Sequence, residues 1–350
     1  MATIKWMVYE RISLIGKYSA EQITAMSPME RVKAGLADPV RAFNKNEPHK
    51  LSKLFDEYGI RLPKPRVRVI SNISMIDDLV GRMLFMEQNK EEIHRWWEHP
   101  SVPGIGFDDL NVEKFHKKVL EPMGDSLLLL DFKGWDWGVT KEMLVMESEI
   151  RSKLVDRRDG GLFLKRILLM AKSFFICSDG SCYSQVVEGI QKSGCYITSP
   201  GNSRMRALLS KLYAHRVEGR EELDWPVAAM GDDSVEKNFE DPEKFVEWLK
   251  QYGLKPSADD FAVVSGDSVE FCSHKISLDE DGKPIAELLS IGKCFAKFLY
   301  NDDKTPEAIA GIRYAARYSP EINKLESYWY IFHHDVWVES YSVTADLIEF

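Results

Sequence analysis

Two apolar segments of this chain end in aspartates. In SLLLLDFKGWDWG (126–138) a run of four leucines stops at Asp131, and Asp136 follows five residues later. In AAMGDDSVE (228–236) a small apolar segment enters a turn at Gly231 and delivers Asp232 and Asp233. A carboxylate does not belong in an apolar core unless it is paired. Two of them about 4 Å apart repel by roughly 4 kcal/mol at an effective dielectric of 20. Two strands that each set an acid just beyond the core edge suggest a site for a hard cation. Mg2+ suits such a site, because it prefers carboxylate oxygens and shares its coordination with phosphates. Two such ions, about 3.5–4 Å apart, clamp the attacking and leaving oxygens of a phosphoryl transfer. The alternative is a pair of solvated acidic turns with no chemistry.

The elements that must position these acids are legible around them. SLLLLDF (126–132) reads as a buried strand, with Asp131 as the first group past the core. Gly231 permits a tight hairpin that holds Asp232 and Asp233 at its tip. Thr140 can cap a helix over KEMLVMESEIRSKLVDR. In TSPGNSRMRALLSKLYAHR, Thr198 or Ser199 can cap a helix and Pro200 suits its first turn. RVRVISN (66–72) alternates as a strand does. Helices are predicted over 75–97, 110–123, 241–253, 284–300, 306–317 and 321–332, with mixed helical character over 8–35. FAVVSG and SVEFCSHKIS read as strands, and 41–68 reads as a basic loop. Strands and helices follow one another without a regular βα repeat, which predicts an α+β fold.

A chain of 350 residues, 44% hydrophobic, exceeds what one compact core serves, so two or three subdomains are expected. The net charge of −9 argues against a passive nucleic-acid coat. The charge is uneven, however. Residues 41–68 carry eight Lys or Arg against three acids, whereas the last sixteen residues carry four acids and no Lys or Arg. The basic stretch is either a local anion site or a solvated loop. Five cysteines without a CxxC pair point to free thiols in a reducing compartment. There is no apolar stretch for a signal peptide or a membrane span, so a soluble, cytosolic protein is expected.

DFKGWD (131–136), SGCYITSPGNS (193–203) and GDD (231–233), in that order, resemble the catalytic motifs of viral RNA-dependent RNA polymerases. GDD alone is common by chance; the middle motif fixes five residues in eleven positions, and the ordered set is specific. NKNEPHKLSK (44–53) and RVRVISNISMIDDLVGRMLF (66–85) resemble the basic fingers motif, and EFCSHKI (270–276) the strand-turn element between palm and thumb. KNEPH together with EFCSH points to sobemovirus- and polerovirus-like enzymes. The resemblance covers about 44–276.

The resemblance implies roles residue by residue. Asp131 and Asp232 would hold two Mg2+ ions, with Mn2+ able to substitute, and Asp233 would support them. Neighbours in a strand face opposite ways, so Asp232 and Asp233 should not be equivalent ligands. Asp136, Ser193 and Asn202 would sense the ribose 2′-OH, which separates RNA from DNA substrates. Thr198 lies four residues before Asn202, on the same helix face, and either joins that set or only caps the helix. Gly194 would let the motif loop flex beside the template. Lys45, Arg66 and Arg68 would contact the triphosphate, with Glu47 positioning one of them. Lys50, Lys53 and Lys64 would line the RNA channel or face water. Lys255 is the candidate general acid for pyrophosphate departure, with Lys250 as competitor. The chain departs from the family here, because acid and Phe stand where picornavirus-like sequences keep a lysine.

The implied architecture is a right hand. Residues 1–40 would form an N-terminal fingertip segment, 41–122 and the insertion 151–190 the fingers, 123–150 and 191–276 the palm, and 277–350 a small helical thumb. Template and nascent RNA and NTPs would be its partners, with a viral protein primer or other viral replication proteins alongside. It would work in the cytoplasm of an infected cell, reaching membrane-associated replication complexes only through partners. A reverse transcriptase shares the acids, but Ser193 and Asn202 fit 2′-OH recognition. An inactive RNA-binding relic is the other rival, and the intact acids argue against it. The chain is short for such an enzyme, which leaves room for a further segment or partner.

Overall fold

The computed structural model describes residues 2–46, 51–62, 67–155, 157–221, 224–257, 261–300 and 304–348. Helices α1 (Ala2–Lys17), α2 (Ala20–Ala25) and α3 (Pro28–Lys33) lead into strands β1 (Val40–Asn44) and β2 (Val69–Asn72). Helices α4 (Met75–His94) and α5 (Asp109–Phe115) precede β3 (Ser126–Leu130). A short α6 (Trp135–Gly138) is followed by α7 (Lys141–Lys153), α8 (Arg157–Ala171), β4 (Phe174–Cys177) and β5 (Cys182–Ser184). Then come α9 (Thr198–Arg216), β6 (Val227–Met230), β7 (Asp233–Lys237), α10 (Pro242–Lys250), β8 (Ala262–Ser265), β9 (Ser268–Phe271), β10 (His274–Leu278) and β11 (Pro284–Leu288). Helices α11 (Ile291–Tyr300), α12 (Pro306–Ala315), α13 (Ile322–Phe332) and α14 (His334–Ile348) close the described chain. The mixed order bears out an α+β fold.

The chain divides into two compact units. One comprises Met1–Lys45, Arg68–Ile105 and Pro122–Val264; the other comprises Asn46–Val67, Gly106–Glu121 and Ser265–Phe350.

The first unit is built on a sheet of order β6-β7-β3-β8. β7 runs antiparallel to both β6 and β3, with Leu130 opposite Ser234. All four leucines of β3 are buried, so the strand is covered on both faces and shows no alternation. Leu128 and Leu130 join a core with Met143 and Leu144 of α7, Met205 and Leu209 of α9, and Phe245 and Leu249 of α10. The outer edge of β6 is not left bare. The Ala229 N–H donates to the Pro100 carbonyl at 2.8 Å, and the Val102 N–H to the Ala229 carbonyl at 2.9 Å. Between α9 and β7 lies a fully buried ion pair, Arg206 with Glu236. The Arg206 guanidinium also donates to Ser210 Oγ at 2.6 Å and lies over the Phe132 ring.

A second sheet of this unit has the order β2-β1-β4-β5. β1 pairs antiparallel with β2 and parallel with β4. All of β1 after Val40 falls inside the stretch expected to be a basic loop; the strand is completed by the distant β4. The helices α1, α4 and α8 are tied together by Asp77, which accepts from Arg11 and from Arg166, both at 2.9 Å. Arg166 and Asp77 are both buried, where an unpaired charge would be costly.

In the second unit β11, β10 and β9 form an antiparallel sheet. Cys272 and Ser273 make its tight β9–β10 turn with φ of +50° and +62°, the two positive values of a type I′ hairpin. Ile309, Leu325 and Trp329 are the centre of a helical cluster formed by α11 to α14. The expected helix over 284–300 is corrected here. Pro284–Leu288 alternates buried and half-buried as β11 paired to β10, and the helix begins only at Ile291. Likewise the helix expected over 110–123 ends at Phe115, beyond which residues 116–120 wind into a wider π turn. No helix among the described residues is long and apolar enough to cross a membrane.

Candidate active site

β3 carries Asp131 off its end, and the β6–β7 hairpin brings Asp232 and Asp233 to the same end of the sheet. Met230 pairs with Asp233, so Gly231 and Asp232 form a two-residue turn. Gly231 has a φ of +71°, which an L side chain resists. Asp232 sits in the turn while Asp233 is the first residue of β7, so the two are not equivalent.

Electrostatics shows that these carboxylates share one space. Burial first, and the Asp131 carboxylate next, raise Asp232 from an ordinary 3.8 to about 7; Asp233 and Asp136 add to the effect. Among the described residues no group of three or more His, Cys, Asp or Glu side chains is already gathered to hold a metal ion. The donor chemistry still fits one. Oxygen donors that repel each other are what a divalent cation would stabilise, and its charge would restore Asp232 to the ionised form.

Asp136 lies on α6, entered through Gly134 at φ +71°. Its carboxyl is raised by burial, against which the Asn202 hydrogen bond and the Arg68 charge act. Asn202 Nδ2 donates to Asp136 Oδ1 at 2.9 Å, while the buried Asn202 Oδ1 has no partner. Asn202 is the fifth residue of α9, which starts at Thr198 with Ile197 as its N-cap. The expected capping by Thr198 is therefore corrected. Its Oγ1 instead reaches back to the Lys192 and Cys195 carbonyls, at 2.8 and 2.7 Å, and pins the loop that enters the helix.

Ser193 Oγ accepts from the Ser71 N–H at 3.1 Å, and the Gly194 N–H donates to the Ser71 carbonyl at 3.0 Å. A Cβ on Gly194 would stand 2.9 Å from that carbonyl oxygen and 3.0 Å from Asn72 Cα. Glycine is needed here for close approach to β2, a different reason from the flexing loop the sequence suggested.

Lys45 and Arg68 meet where β1 and β2 end. The Lys45 N–H donates to the Arg68 carbonyl at 2.8 Å, and both side chains are exposed. Arg66, Glu47, Lys50 and Lys64 lie outside the described residues. Lys255 stands in a short segment that pairs with the continuation of β3. The Lys133 N–H donates to the Lys255 carbonyl, and the Ser257 N–H to the Asp131 carbonyl, both at 2.9 Å. The Lys255 side chain is exposed, two residues from the Ser257 that pairs with Asp131. Lys250 is instead paired with Glu247 on the exposed face of α10. Trp135 is buried edge-on against Phe132, whereas Trp137 is exposed.

Sequence reasoning passed over two residues. Ser203, fully buried beside Asn202, accepts the Gly231 N–H at 2.8 Å and donates to the Ser199 carbonyl at 2.7 Å. Adjacent residues of one helical turn thus hold Asp136 and the Gly-Asp-Asp turn. Its place in the Asn-Ser pair was the available signal. The other is Lys192, whose burial inside a polar sequence gave no signal at all.

The viral RNA-dependent RNA polymerase family matches residues 43–338. This chain belongs to that family. The replicase polyprotein P2AB of Southern cowpea mosaic virus is 35% identical over 343 residues, 91% of this chain and 31% of the polyprotein. Protein P1-P2 of Potato leafroll virus is 34% identical over 294 residues, 77% of this chain and 24% of that protein. The RNA-directed RNA polymerase of Mushroom bacilliform virus is 32% identical over 316 residues, 86% of this chain and 70% of its own length. These relatives bear out a sobemovirus- and polerovirus-like polymerase chain, which spans about a quarter of the length of the Potato leafroll virus protein.

Proposed function

We propose that this chain carries out template-directed RNA synthesis for a positive-strand RNA virus. The nascent 3′-hydroxyl attacks the α-phosphate of an NTP and pyrophosphate leaves. One observation carries the reading: a single sheet end gathers Asp131 and Asp232 closely enough to raise Asp232 to about 7, with the Asn202–Asp136 pair beside them. Asp131 and Asp232, supported by Asp233, would hold two Mg2+ ions, or Mn2+ in their place. Bound there, the ions would supply charge stabilisation at the reacting phosphate.

The remaining roles belong to the protein. Asn202 Oδ1, buried and without a partner, is an acceptor for the proton of a ribose 2′-OH, and Asp136 fixes the amide that presents it. Ser193 and Thr198 keep the loop in register, and Gly194 lets it lie against β2. Lys45, Arg66 and Arg68 neutralise the triphosphate. Lys255 protonates the departing pyrophosphate; its segment runs along the continuation of β3 just past Asp131, which supports that role. The sheet of β6, β7, β3 and β8 with α7, α9 and α10 serves as the palm. Residues 41–122 and 151–190 serve as fingers, with 1–40 as fingertips, and 277–350 as the small helical thumb. Template and nascent RNA, NTPs and other viral replication proteins, a protein primer included, are its partners. Its place is the cytoplasm of the infected cell, at replication complexes that partners anchor to membranes.

The deciding experiment is NTP incorporation on a primed homopolymer RNA template with Mg2+, comparing the chain with Asp232→Ala. Synthesis abolished by the substitution supports the reading. Synthesis that survives it places the chemistry elsewhere.

A further inference from the structure

The loop between β5 and α9 is bent in a way its sequence resists. Gly189 has φ +117°, and a Cβ there would lie 2.4 Å from the Val139 carbonyl oxygen. Ile190, a β-branched residue, has φ +62°. Such a value is a genuine outlier for this side chain, and it persists only where the surroundings enforce it.

Backbone bonds hold the elbow on one side, from the Ile190 N–H to the Val139 carbonyl at 2.7 Å and from the Gly189 N–H to the Ala171 carbonyl at 2.8 Å, and a buried lysine amino group holds it on the other. Lys192 is 1% exposed, and its Nζ donates to the Ile190 carbonyl at 2.9 Å, the Gly189 carbonyl at 3.2 Å and Gln185 Oε1 at 2.8 Å. Gln185, itself buried, is the second hub. Its Nε2 lies 2.7 Å from the Val187 carbonyl, 2.8 Å from that of Ala171 and 3.0 Å from that of Gly189. All three acceptors around Lys192 Nζ are neutral, so a charge there is buried without carboxylate compensation in those bonds, and burial pulls the amine down from 10.5 to about 7. Such a charge is poor value for stability, since an apolar side chain of the same size is often as good or better.

The backbone around Lys192 leads directly to the nucleotide-sensing residues. The Gln191 N–H donates to the Asp136 carbonyl at 2.9 Å, and Gln191 Nε2 to Thr198 Oγ1 at 3.3 Å. Thr198 Oγ1 lies 2.8 Å from the carbonyl of Lys192 itself. Ser193 and Gly194 follow at once against β2. A shift of the elbow would therefore move Asp136 and the entry to α9 relative to each other, and with them Asn202.

We propose that Lys192 is a positioning residue for ribose selection: its buried amino group clamps the 189–190 elbow and so fixes Asp136 and Asn202 in the geometry that recognises a 2′-OH. The proposal rests on the polymerase reading.

The test uses Lys192→Met, which keeps length and removes the donors, with Gln185→Met as the second variant. Incorporation of ATP and dATP on primed poly(U) is compared by kcat/KM, alongside the melting temperature and amide exchange of residues 186–198. In Lys192→Met the preference for ATP falls about 5- to 30-fold, mainly through a higher KM for ATP, with the melting temperature kept. Gln185→Met changes it in the same direction. Adding Lys192→Met to Asn202→Ala lowers the preference no further than Asn202→Ala alone. Folded variants with wild-type preference and KM overturn the proposal. So does a Lys192→Met chain that fails to fold while Gln185→Met keeps full preference, since the lysine is then a core element only. A wild-type chain that incorporates no nucleotide sinks the polymerase reading instead. The clamp is then judged by exchange: faster exchange over 186–198 in Lys192→Met supports it, and unchanged exchange overturns it.

Discussion

Asp232 should destabilise the metal-free protein at neutral pH, and removing its charge should make the chain more stable. Raising a carboxyl from 3.8 to about 7 corresponds to roughly 4 kcal/mol held against the ionised form. Asp232 is only partly buried and its neighbours can move, so about 1–2 kcal/mol should be realised. The sign follows from proton counting. Between 3.8 and 7 the unfolded chain has lost the proton that the folded chain keeps. The favourable contribution of the protonated carboxyl is therefore complete below 3.8, fades as pH rises, and is gone above 7. Asn mimics the protonated form at every pH. With EDTA at pH 8, Asp232→Asn should melt about 2–6 °C above wild type, and at pH 5 the gain should be less than half of that. Mg2+ at pH 8 should raise the wild-type melting temperature and leave Asp232→Asn nearly unmoved, because only the wild type offers the full charge. Thermal melts of both proteins at the two pH values, with and without Mg2+, decide it. An Asp232→Asn chain no more stable than wild type at pH 8, or equally stabilised at pH 5, would refute the carboxylate crowding at this site.

Asn202→Ala removes the acceptor aimed at the 2′-OH and the donor to Asp136. The ratio of rNTP to dNTP kcat/KM should fall about 10- to 100-fold, measured by single-nucleotide incorporation. Ser203→Ala leaves the Gly231 N–H without its acceptor. It should lower kcat by about 10-fold while RNA binding, measured by fluorescence anisotropy, is unchanged. Glu236→Ala strands Arg206 in a fully buried site and should cost about 3–5 kcal/mol in urea unfolding. Arg206→Met combined with Glu236→Met should cost much less than that, since no charge is then left alone.

Much of the candidate site was legible in the sequence, because its residues sit where local rules are strict. An apolar strand cannot keep a carboxylate, so four leucines ending in Asp131 had to mark a core edge. A two-residue hairpin needs a positive φ, so Gly231 marked the turn that presents Asp232. Thr140 caps α7 as its side chain allows. The sequence order of the acids and of Asn202 also sufficed to indicate the family.

Other features were decided only when distant segments met. β1 looked like part of a basic loop because its partners, β2 and β4, lie far along the chain, and strand pairing is a non-local property. β11 was read as helix because its partner β10 is needed to show that Pro284–Leu288 alternates. Gly194 looked like a hinge, but the requirement for glycine comes from Ser71 and Asn72, more than a hundred residues upstream. Ser203 had only its place in the Asn-Ser pair as a signal, and Lys192 had none. A buried hydroxyl or ammonium acquires its role from the partners that burial forces upon it, and those partners come from the tertiary structure. The sequence by itself determined which groups can do the chemistry. The folded chain alone decided their spacing, their protonation and the buried contacts that hold them, because each of these depends on which distant segments exclude water from the same place.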